Sequence, residues 1–75
     1  MKKLIILSGG FDPVHKGHVR MFEAASKEGY VVVGINSDKW LIRKKEKYFM
    51  PFSERKEILE SIKFVDEVVG FNDDE

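Results

Sequence analysis

The chain carries two continuous aliphatic runs, at residues 3–8 and 30–35, separated by a segment with helical periodicity. Continuous rather than alternating hydrophobicity is typical of strands that are buried on both faces of a parallel sheet. Between the runs, apolar residues recur at helical spacing over residues 17–28, and we expect Gly29 to end this helix in the left-handed conformation. The pattern predicts a βαβ unit, whose crossover is almost always right-handed.

The second half of the chain has weaker periodicity. Residues 36–51 carry few regularly spaced apolar positions, and we interpret them as a loop with a helical turn after Ser37. Ser53 is a suitable N-cap for a second helix, and residues 67–69 form a third short strand. The buried side of the second helix is predicted to be Ile58, Leu59 and Ile62. The element order therefore predicts an α/β, Rossmann-like, doubly wound parallel sheet with three strands and two helices.

Composition and charge restrict the functions that such a chain can have. The 75 residues suffice for a single domain over residues 1–75, and 43% hydrophobic with 35% charged residues is a globular balance. Basic and acidic residues number 13 each, and the resulting zero net charge argues against a nucleic-acid-binding protein. The absence of cysteine excludes disulfide scaffolds and cysteine-ligated zinc sites. No apolar run approaches the roughly 20 residues of a membrane span, so we expect a soluble, cytoplasmic chain.

Three strands are few for this architecture. The first strand keeps one edge without a partner from residues 1–75, and an exposed apolar edge pairs readily with another chain. We therefore expect either a homodimer or the first half of a longer domain, and we favour the incomplete domain.

The densest cluster of chemistry-bearing residues follows the first strand. Gly9 and Gly10 end the strand, and His15, Gly17 and His18 open the first helix. Ligands of open α/β sheets bind at the carboxyl ends of the strands, where a helix N-terminus attracts phosphate. The glycines let backbone and ligand approach closely, and the two histidines lie on one helical face, where they can donate hydrogen bonds to a reacting phosphate. We predict a phosphate site here.

Other interpretations stay open for the same residues. In one, the histidines are exposed and idle. In another, Asp12, His15 and His18 are ligands of a metal ion, and in a third the glycine pair is only a tight turn. Neither the Gly-x-Gly-x-x-Gly dinucleotide pattern nor the P-loop pattern occurs in the chain.

A resemblance to a known family adds to this prediction. Residues 10–18, Gly-Phe-Asp-Pro-Val-His-Lys-Gly-His, resemble the signature of the nucleotidyltransferase superfamily with the His-x-Gly-His motif. Further matches resemble the glycerol-3-phosphate cytidylyltransferases and the heptose-phosphate adenylyltransferases. They are Asn36-Ser37-Asp38, the basic stretch around Lys44, Arg55 with Leu59, residues 65–69, and Phe71 with Asp73 and Asp74, the last of which leans toward the heptose-phosphate enzymes.

The resemblance implies a five-stranded parallel sheet, of which three strands are present, and a direct transfer reaction. The phosphate of an acceptor attacks the α-phosphorus of a nucleoside triphosphate, and pyrophosphate leaves with the help of Mg²⁺. His15 and His18 match the two histidines of the motif, which bind the triphosphate and stabilise the transition state. The surrounding loop, which contacts the nucleotide, corresponds to Gly9, Gly10, Phe11 and Gly17.

The resemblance also implies residues for the acceptor. Asp12 matches an acidic residue that orients the loop or the incoming phosphate, and Lys44 matches a catalytic basic residue that neutralises charge on both phosphates. Arg55 and Asp66 match positions near the acceptor pocket of the cytidylyltransferases.

Alternatives stay open for these charged residues. Lys44 lies in a charge run, which in most proteins is simply solvated, and Lys45 or Lys47 can do the same work. Arg55 is unfavourable in the first turn of a helix unless it has another role, such as a salt bridge to Asp66.

The predicted function is transfer of CMP from CTP, or in second place AMP from ATP, to a small phosphorylated alcohol or sugar. The second motif of the family, of the Arg-Thr-x-Gly-Ile-Ser-Thr type, has no match in residues 1–75. The alternative is therefore a catalytically incomplete chain that binds nucleotide or packs against a partner.

Overall fold

The secondary structure follows the order that a parallel α/β sheet requires. The computed structural model describes residues 3–71, so the Asp73 and Asp74 matches lie outside the described residues. The strands are β1 (Lys3–Gly9), β2 (Gly29–Ile35) and β3 (Glu67–Gly70), and the helices are α1 (Lys16–Ser26), α2 (Asp38–Lys45) and α3 (Phe52–Glu60). The described strands are parallel in the order β1-β2-β3, which confirms the predicted Rossmann-like sheet.

β1 and β2 pair along their whole length, and Lys3 lies opposite Gly29 at the start of the ladder. A Cβ atom on Gly29 would collide with the carbonyl oxygen of Lys3, so the close approach of the two strands requires glycine here. The prediction that Gly29 ends α1 in the left-handed conformation is wrong. The helix ends at Ser26 with a right-handed cap at Lys27, and no described glycine has a positive φ.

α2 occupies part of the segment that was predicted to be a loop. Its amino end is capped by Ser37, whose Oγ accepts a hydrogen bond from the backbone N–H of Trp40 at 3.1 Å. Basic residues fill its last turn and the acidic Asp38 lies in its first, as the helix dipole favours. Leu41 is its one buried residue. Hydrophobic periodicity missed this helix because its ends, rather than an apolar face, define it.

α3 begins close to the predicted position but with a different cap. The N-cap residue is Pro51 and not Ser53. Proline has φ fixed near the helical value and suits the start of a helix, so no serine cap is needed. Leu59 is buried as predicted, whereas Ile58 is 38% exposed and Ile62 is only partly buried against the core.

The core lies on one face of the sheet, beneath α1 and α3. Right-handed crossovers that run in the same direction across a sheet place their helices on the same face. The side chains that form this core are Phe11, Phe22, Val31, Val33, Ile35, Leu59 and Val68.

The opposite face of β1 is open. Leu4 is 62% exposed and Ile6 is 64% exposed, so the prediction that β1 is buried on both faces is wrong for residues 3–71. The expected free edge is present, because β2 is the only described strand that pairs with β1. Within the same residues, no helix is both long enough and apolar enough to cross a membrane.

Candidate functional site

The loop between β1 and α1 forms the candidate site at the carboxyl end of β1. Phe11 in this loop has φ 51°, a left-handed conformation that is uncommon outside glycine. Its buried ring meets His18 edge-on, with the ring centroids 4.9 Å apart, and contacts Phe22 at 5.7 Å. Phe11 therefore anchors the loop to the core beneath His18, and the backbone contact with a nucleotide that the resemblance implies stays a prediction.

The two histidines cap the amino end of α1. The Nδ1 atom of His15 accepts a hydrogen bond from the backbone N–H of Gly17 at 3.1 Å. The Nδ1 atom of His18 in turn accepts from the backbone N–H of His15 at 3.1 Å, so the pair forms a reciprocal capping box. The rings stack with centroids 3.9 Å apart. The sequence prediction that both histidines lie on one side of the helix start is consistent with this geometry.

The cap also determines which nitrogen of each ring carries the proton. A ring nitrogen that accepts a hydrogen bond is unprotonated, so neutral His15 and His18 both hold their proton on Nε2. The Nε2–H groups lie on the far side of each ring from the backbone that Nδ1 binds. The site thus presents two N–H donors beside the positive end of a helix dipole, an arrangement suited to an anion.

His18 is held toward its neutral form. Burial lowers its pKa below the ordinary value of 6.5, and the neighbouring His15 lowers it further by charge repulsion. Neutral rings can stack closely without repulsion, whereas two imidazolium ions would oppose each other. The neutral His18 ring is therefore set to donate a hydrogen bond from Nε2 near neutral pH.

Two glycines of the motif make room for protein groups. A Cβ atom on Gly17 would lie 2.9 Å from Cε1 and 3.1 Å from Nδ1 of His15. A Cβ atom on Gly10 would lie 2.9 Å from Leu41 of α2. Glycine at position 17 was predicted to clear space for a ligand. In the structure, the ring of His15 occupies that space, so the ring itself explains the need for glycine.

Asp12 connects this loop to the segment between α2 and α3. Its buried carboxylate accepts hydrogen bonds from the backbone N–H groups of Phe49 at 2.5 Å and Met50 at 2.6 Å. Lys45 Nζ binds both the carboxylate at 3.3 Å and the Asp12 carbonyl oxygen at 3.0 Å. Burial raises the pKa of Asp12, but the two N–H groups and Lys45 outweigh this and hold the pKa below its ordinary value of 3.8. Asp12 thus ties the loop to the segment before α3, and its role toward the incoming phosphate stays a prediction.

The metal-triad interpretation of Asp12, His15 and His18 finds no support. No group of three potential ligands close enough to hold a metal ion occurs in the part of the chain that the structure describes. Both Nδ1 atoms and both carboxylate oxygens of these residues already accept hydrogen bonds from N–H donors.

Two neighbouring lysines of the basic stretch, Lys44 and Lys45, contact different parts of the protein. Lys44, the predicted catalytic lysine, lies with Nζ 5.7 Å from the centre of the Trp40 ring. Lys45, one of the two alternatives to Lys44, is the lysine that contacts Asp12. A cavity of about 340 Å³ opens beside this contact, lined by Lys45, Lys47, Tyr48 and Phe49. Of the two lysines, Lys45 is therefore the one that contacts the loop between β1 and α1.

Arg55 is fully buried and cannot contact an acceptor in this arrangement. Its guanidinium group donates only to groups of the chain itself. The acceptors are Met50 O at 3.0 Å, Gly10 O and Asn36 O at 2.8 Å each, and Asp38 Oδ1 at 2.7 Å. The prediction that Arg55 contacts the acceptor substrate is therefore wrong for this arrangement. The guanidinium group makes internal hydrogen bonds, and none of its N–H groups is exposed. The proposed salt bridge to Asp66 is also wrong, since Asp38 is the carboxylate that Arg55 binds.

Asp66 lies at the other end of the sheet from the histidines. It precedes β3, and its Oδ2 accepts a hydrogen bond from the backbone N–H of Val31 at 2.7 Å while its own N–H donates to Val31 O at 2.9 Å. This places it at the amino end of β3 and not in the crevice, so the structure does not bring it together with Asp12, His15 and His18. The nearby cavity carries Glu60 and Glu67 and does not suit a phosphate.

The role of Asp38 as the partner of Arg55 was not predicted from the sequence. This residue begins α2 and holds the buried Arg55. One signal was available, because an arginine in the first turn of a helix opposes the dipole and needs a compensating partner. Which residue is the partner of Arg55 depends on the tertiary fold, which brings together Asp38 and Arg55 although they are 17 positions apart in the sequence.

A parallel sheet whose first strand leads into a helix capped by two histidines is the arrangement that the resemblance to the nucleotidyltransferases implies. The sequence profile of the Cytidylyltransferase-like family matches residues 6–75. Because the match covers most of the chain, the chain belongs to this family, and the predicted resemblance is confirmed.

Curated relatives agree with this assignment. Glycerol-3-phosphate cytidylyltransferase of Bacillus subtilis (strain 168) is 43% identical over 70 residues, which are 92% of this chain and 54% of the relative. FAD synthase of Ferroglobus placidus is 39% identical over 69 residues, covering 92% of this chain and 45% of that protein. Bifunctional protein HldE of Geotalea uraniireducens is 40% identical over 76 aligned residues, 97% of this chain and 16% of HldE.

A solved structure supports the fold. The lipopolysaccharide core biosynthesis protein of Thermoplasma volcanium GSS1 superposes with a TM-score of 0.85 at 20% identity, over 96% of this chain and 60% of that protein. The chain spans about half the length of the cytidylyltransferase that it matches.

Proposed function

We propose that this chain provides the triphosphate-binding half of a nucleotidyltransferase site that transfers CMP from CTP to a small phosphorylated alcohol or sugar. The observation that carries the proposal is the stacked pair of His15 and His18, whose Nδ1 atoms are used by the helix cap. Each ring therefore has one free donor, Nε2–H, beside a helix N-terminus. Paired donors of this kind suit the oxygens of a polyphosphate.

The reaction forms one bond and breaks one. An oxygen of the acceptor phosphate bonds to the α-phosphorus of CTP, the bond from the α-phosphorus to the bridging oxygen of the β-phosphate breaks, and pyrophosphate leaves. The Nε2–H groups of His15 and His18 donate to oxygens that gain negative charge in the transition state. Neutral histidines are adequate for this task, because they donate without taking part in proton transfer.

Magnesium is proposed only as the companion of the triphosphate. The described residues do not fit a resident magnesium site, because the oxygens of Asp12 are bound to N–H groups and Lys45, and residues 3–71 hold no cluster of three metal-ligating side chains. The chain therefore contributes hydrogen-bond donors and positive charge, and the metal would be held through phosphate oxygens.

The nucleotide and acceptor follow from the similarities and from the basic cavity. CTP is preferred because the glycerol-3-phosphate cytidylyltransferase of B. subtilis is 43% identical, and ATP is the second candidate. The cavity beside Asp12 offers Lys45 and Lys47 to an acceptor phosphate. Lys44 stays a proposed second contact to phosphate. To make this contact, its Nζ would have to move away from the Trp40 ring.

A second candidate function has a specific observation in its favour. The chain covers 54% of the cytidylyltransferase length, and Leu4 and Ile6 leave the far face of β1 exposed. In this candidate function, residues 1–75 bind nucleotide or pack on a partner but do not catalyse transfer. A homodimer across the free edge of β1 stays a prediction.

The test is calorimetric titration of the chain with CTP and with ATP, each with MgCl₂. Two variants separate capping from ligand binding. His15→Asn keeps an oxygen that can accept the Gly17 N–H but lacks Nε2–H, whereas His15→Ala loses both functions. We expect His15→Asn to unfold near the wild-type urea midpoint but to bind the nucleotide about 10- to 100-fold more weakly, the value of a hydrogen bond to a charged group.

The outcomes divide the two candidate functions. Saturable binding of one nucleotide, together with pyrophosphate release when glycerol 3-phosphate is added, supports transfer by this chain. Binding without pyrophosphate release supports the incomplete chain. Equal affinity in the wild type and His15→Asn would contradict the role given to the histidine donors.

A further inference from the structure

Arg55 is the most deeply buried charged residue among residues 3–71, with no exposed surface. Its hydrogen bonds reach four separate segments, which are the ends of β1 and β2, the start of α2 and the loop before α3. The acceptors are Gly10 O, Asn36 O, Asp38 Oδ1 and Met50 O, at 2.7–3.0 Å. One guanidinium group therefore links the ends of β1 and β2, the start of α2 and the loop before α3.

Two of these acceptors lie next to groups of the site. Gly10 directly precedes Phe11, whose ring packs against His18. Met50 gives its carbonyl oxygen to Arg55 and its N–H to the Asp12 carboxylate. Arg55 thus binds the residue that precedes the anchor of His18, and it binds Met50, which is itself a donor to Asp12.

The chemistry of arginine explains why this residue is needed at the junction. Three carbonyl oxygens converge there, and a buried acceptor without a partner is costly. A planar guanidinium offers five N–H donors in fixed directions, whereas the ammonium of lysine is a compact charge with three donors. The half-exposed Asp38 supplies the opposite charge, at 33% side-chain exposure. No buried side-chain polar atom in the described residues lacks a partner, so the network is satisfied.

We propose that Arg55 is a positioning residue for the nucleotide site, which fixes the 10–12 loop and the loop before α3 in one arrangement, so that Asp12 keeps its contacts and His18 is set for the triphosphate. This inference rests on the proposed nucleotidyl transfer. It replaces the predicted contact of Arg55 with the acceptor. Arg55 acts through backbone carbonyls and touches no reacting atom.

The experiment compares Arg55→Lys with a matched control, Lys56→Gln, which removes a neighbouring cation on the same helix. Lys56 makes only an exposed pair with Glu60 at 3.9 Å. Amide hydrogen exchange and the NMR titration of the Asp12 carboxyl are measured without nucleotide, and CTP and ATP titrations follow. In Arg55→Lys we expect the Phe49 and Met50 amides to lose more protection than the amides of β2, and the Asp12 pKa to rise toward 3.8.

The nucleotide affinity of Arg55→Lys is expected to fall about tenfold or more, while Lys56→Gln behaves as wild type in every measurement. Asp38→Asn keeps an oxygen for Arg55 and is expected to shift the same quantities in the same direction by a smaller amount. If Arg55→Lys does not fold, the measurements on Asp38→Asn decide whether the Arg55 network positions the site.

Three results separate the possibilities. An equal loss of protection at all amides, with an unchanged Asp12 pKa, would overturn the inference and reduce Arg55 to a general stabilising residue. Unchanged exchange, pKa and affinity would overturn it as well. A wild type that binds neither CTP nor ATP would refute the proposed function, and the ligand-free measurements would still decide whether Arg55 positions Asp12.

Discussion

The substitution Gly17→Ala separates the two roles of the histidine cap. Its Cβ would lie 2.9 Å from Cε1 of the His15 ring, closer than real contacts allow, so the ring must move. Because the Cβ would also lie 3.1 Å from Nδ1, the shift weakens the bond from the Gly17 N–H, and complete loss of this N-cap would cost about 0.5–2 kcal/mol. Alanine favours the helix over glycine by up to about 1 kcal/mol. The two effects oppose each other, so we expect the free energy of unfolding to change by no more than about 1 kcal/mol.

The effect of Gly17→Ala on ligand binding has no such compensation. A displaced His15 ring withdraws its Nε2–H from the site and loses its stacking on His18, now at 3.9 Å. The loss of one hydrogen bond to a charged oxygen corresponds to about 1.5–3 kcal/mol, or about a 10- to 100-fold weaker affinity for the triphosphate. Gly17→Ala is therefore expected to be a stable protein that binds nucleotide poorly.

A double-mutant cycle with His15→Asn provides the control. Asparagine lacks Cε1, the atom nearest the added methyl group, so alanine at position 17 should stabilise the His15→Asn background by its helix propensity. Urea unfolding measures the four free energies, the His15 ring resonances report its displacement, and calorimetry gives the affinities. Gly17→Ala with wild-type ring resonances and wild-type affinity would refute the clash argument, and strict additivity of the stabilities would refute the coupling.

The other predictions concern the charged residues of the same site. Asp12→Asn is expected to cost about 1.5–3 kcal/mol at pH 7, because it removes the charge from hydrogen bonds to Phe49, Met50 and Lys45. The folded pKa of Asp12 lies below 3.8, so its stabilisation is fully present above about pH 4 and is lost as pH falls through the folded value. Acid-dependent unfolding curves of wild type and Asp12→Asn should therefore converge below pH 4, and parallel curves would contradict the pKa shift. Lys45→Met should raise the Asp12 pKa and weaken glycerol 3-phosphate binding in the presence of CTP more than Lys44→Met does, as measured by NMR titration, because only Lys45 contacts Asp12. A larger effect of Lys44→Met than of Lys45→Met would indicate that Lys44 is the lysine that binds the acceptor phosphate.

Much of the fold was predictable because local patterns determine the strand positions. The continuous runs at the start of the chain and before Asn36 became β1 and β2, paired in parallel over their whole length. Burial of β1 on both faces was predicted wrongly because hydrophobicity does not say which face a helix covers. Both described crossovers bring their helices to the same face and leave Leu4 and Ile6 exposed.

The candidate site was predictable where its residues are close in sequence. His15 and His18 are three positions apart, and their common helical face follows from that spacing. The partners of Arg55 were not predictable, because three of its acceptors are backbone carbonyls, which carry no side-chain signature. Asp66 was misplaced for a related reason. It lies near the start of β3 in sequence, but only the strand register shows that this end of the sheet is far from the histidines.

The choice of residues at the start of α1 links folding to function. Serine, threonine, aspartate and asparagine are the usual N-caps, and glutamate or glutamine is the usual partner at the third helical position. This chain has histidine at both positions. A serine and glutamate pair would satisfy the same two backbone N–H groups, but it would present no outward N–H donor, and its carboxylate would repel a phosphate. Histidine has a second ring nitrogen, so the cap uses Nδ1 and leaves Nε2–H for a ligand. The helix start is therefore better explained as an anion site that also caps a helix than as a cap alone.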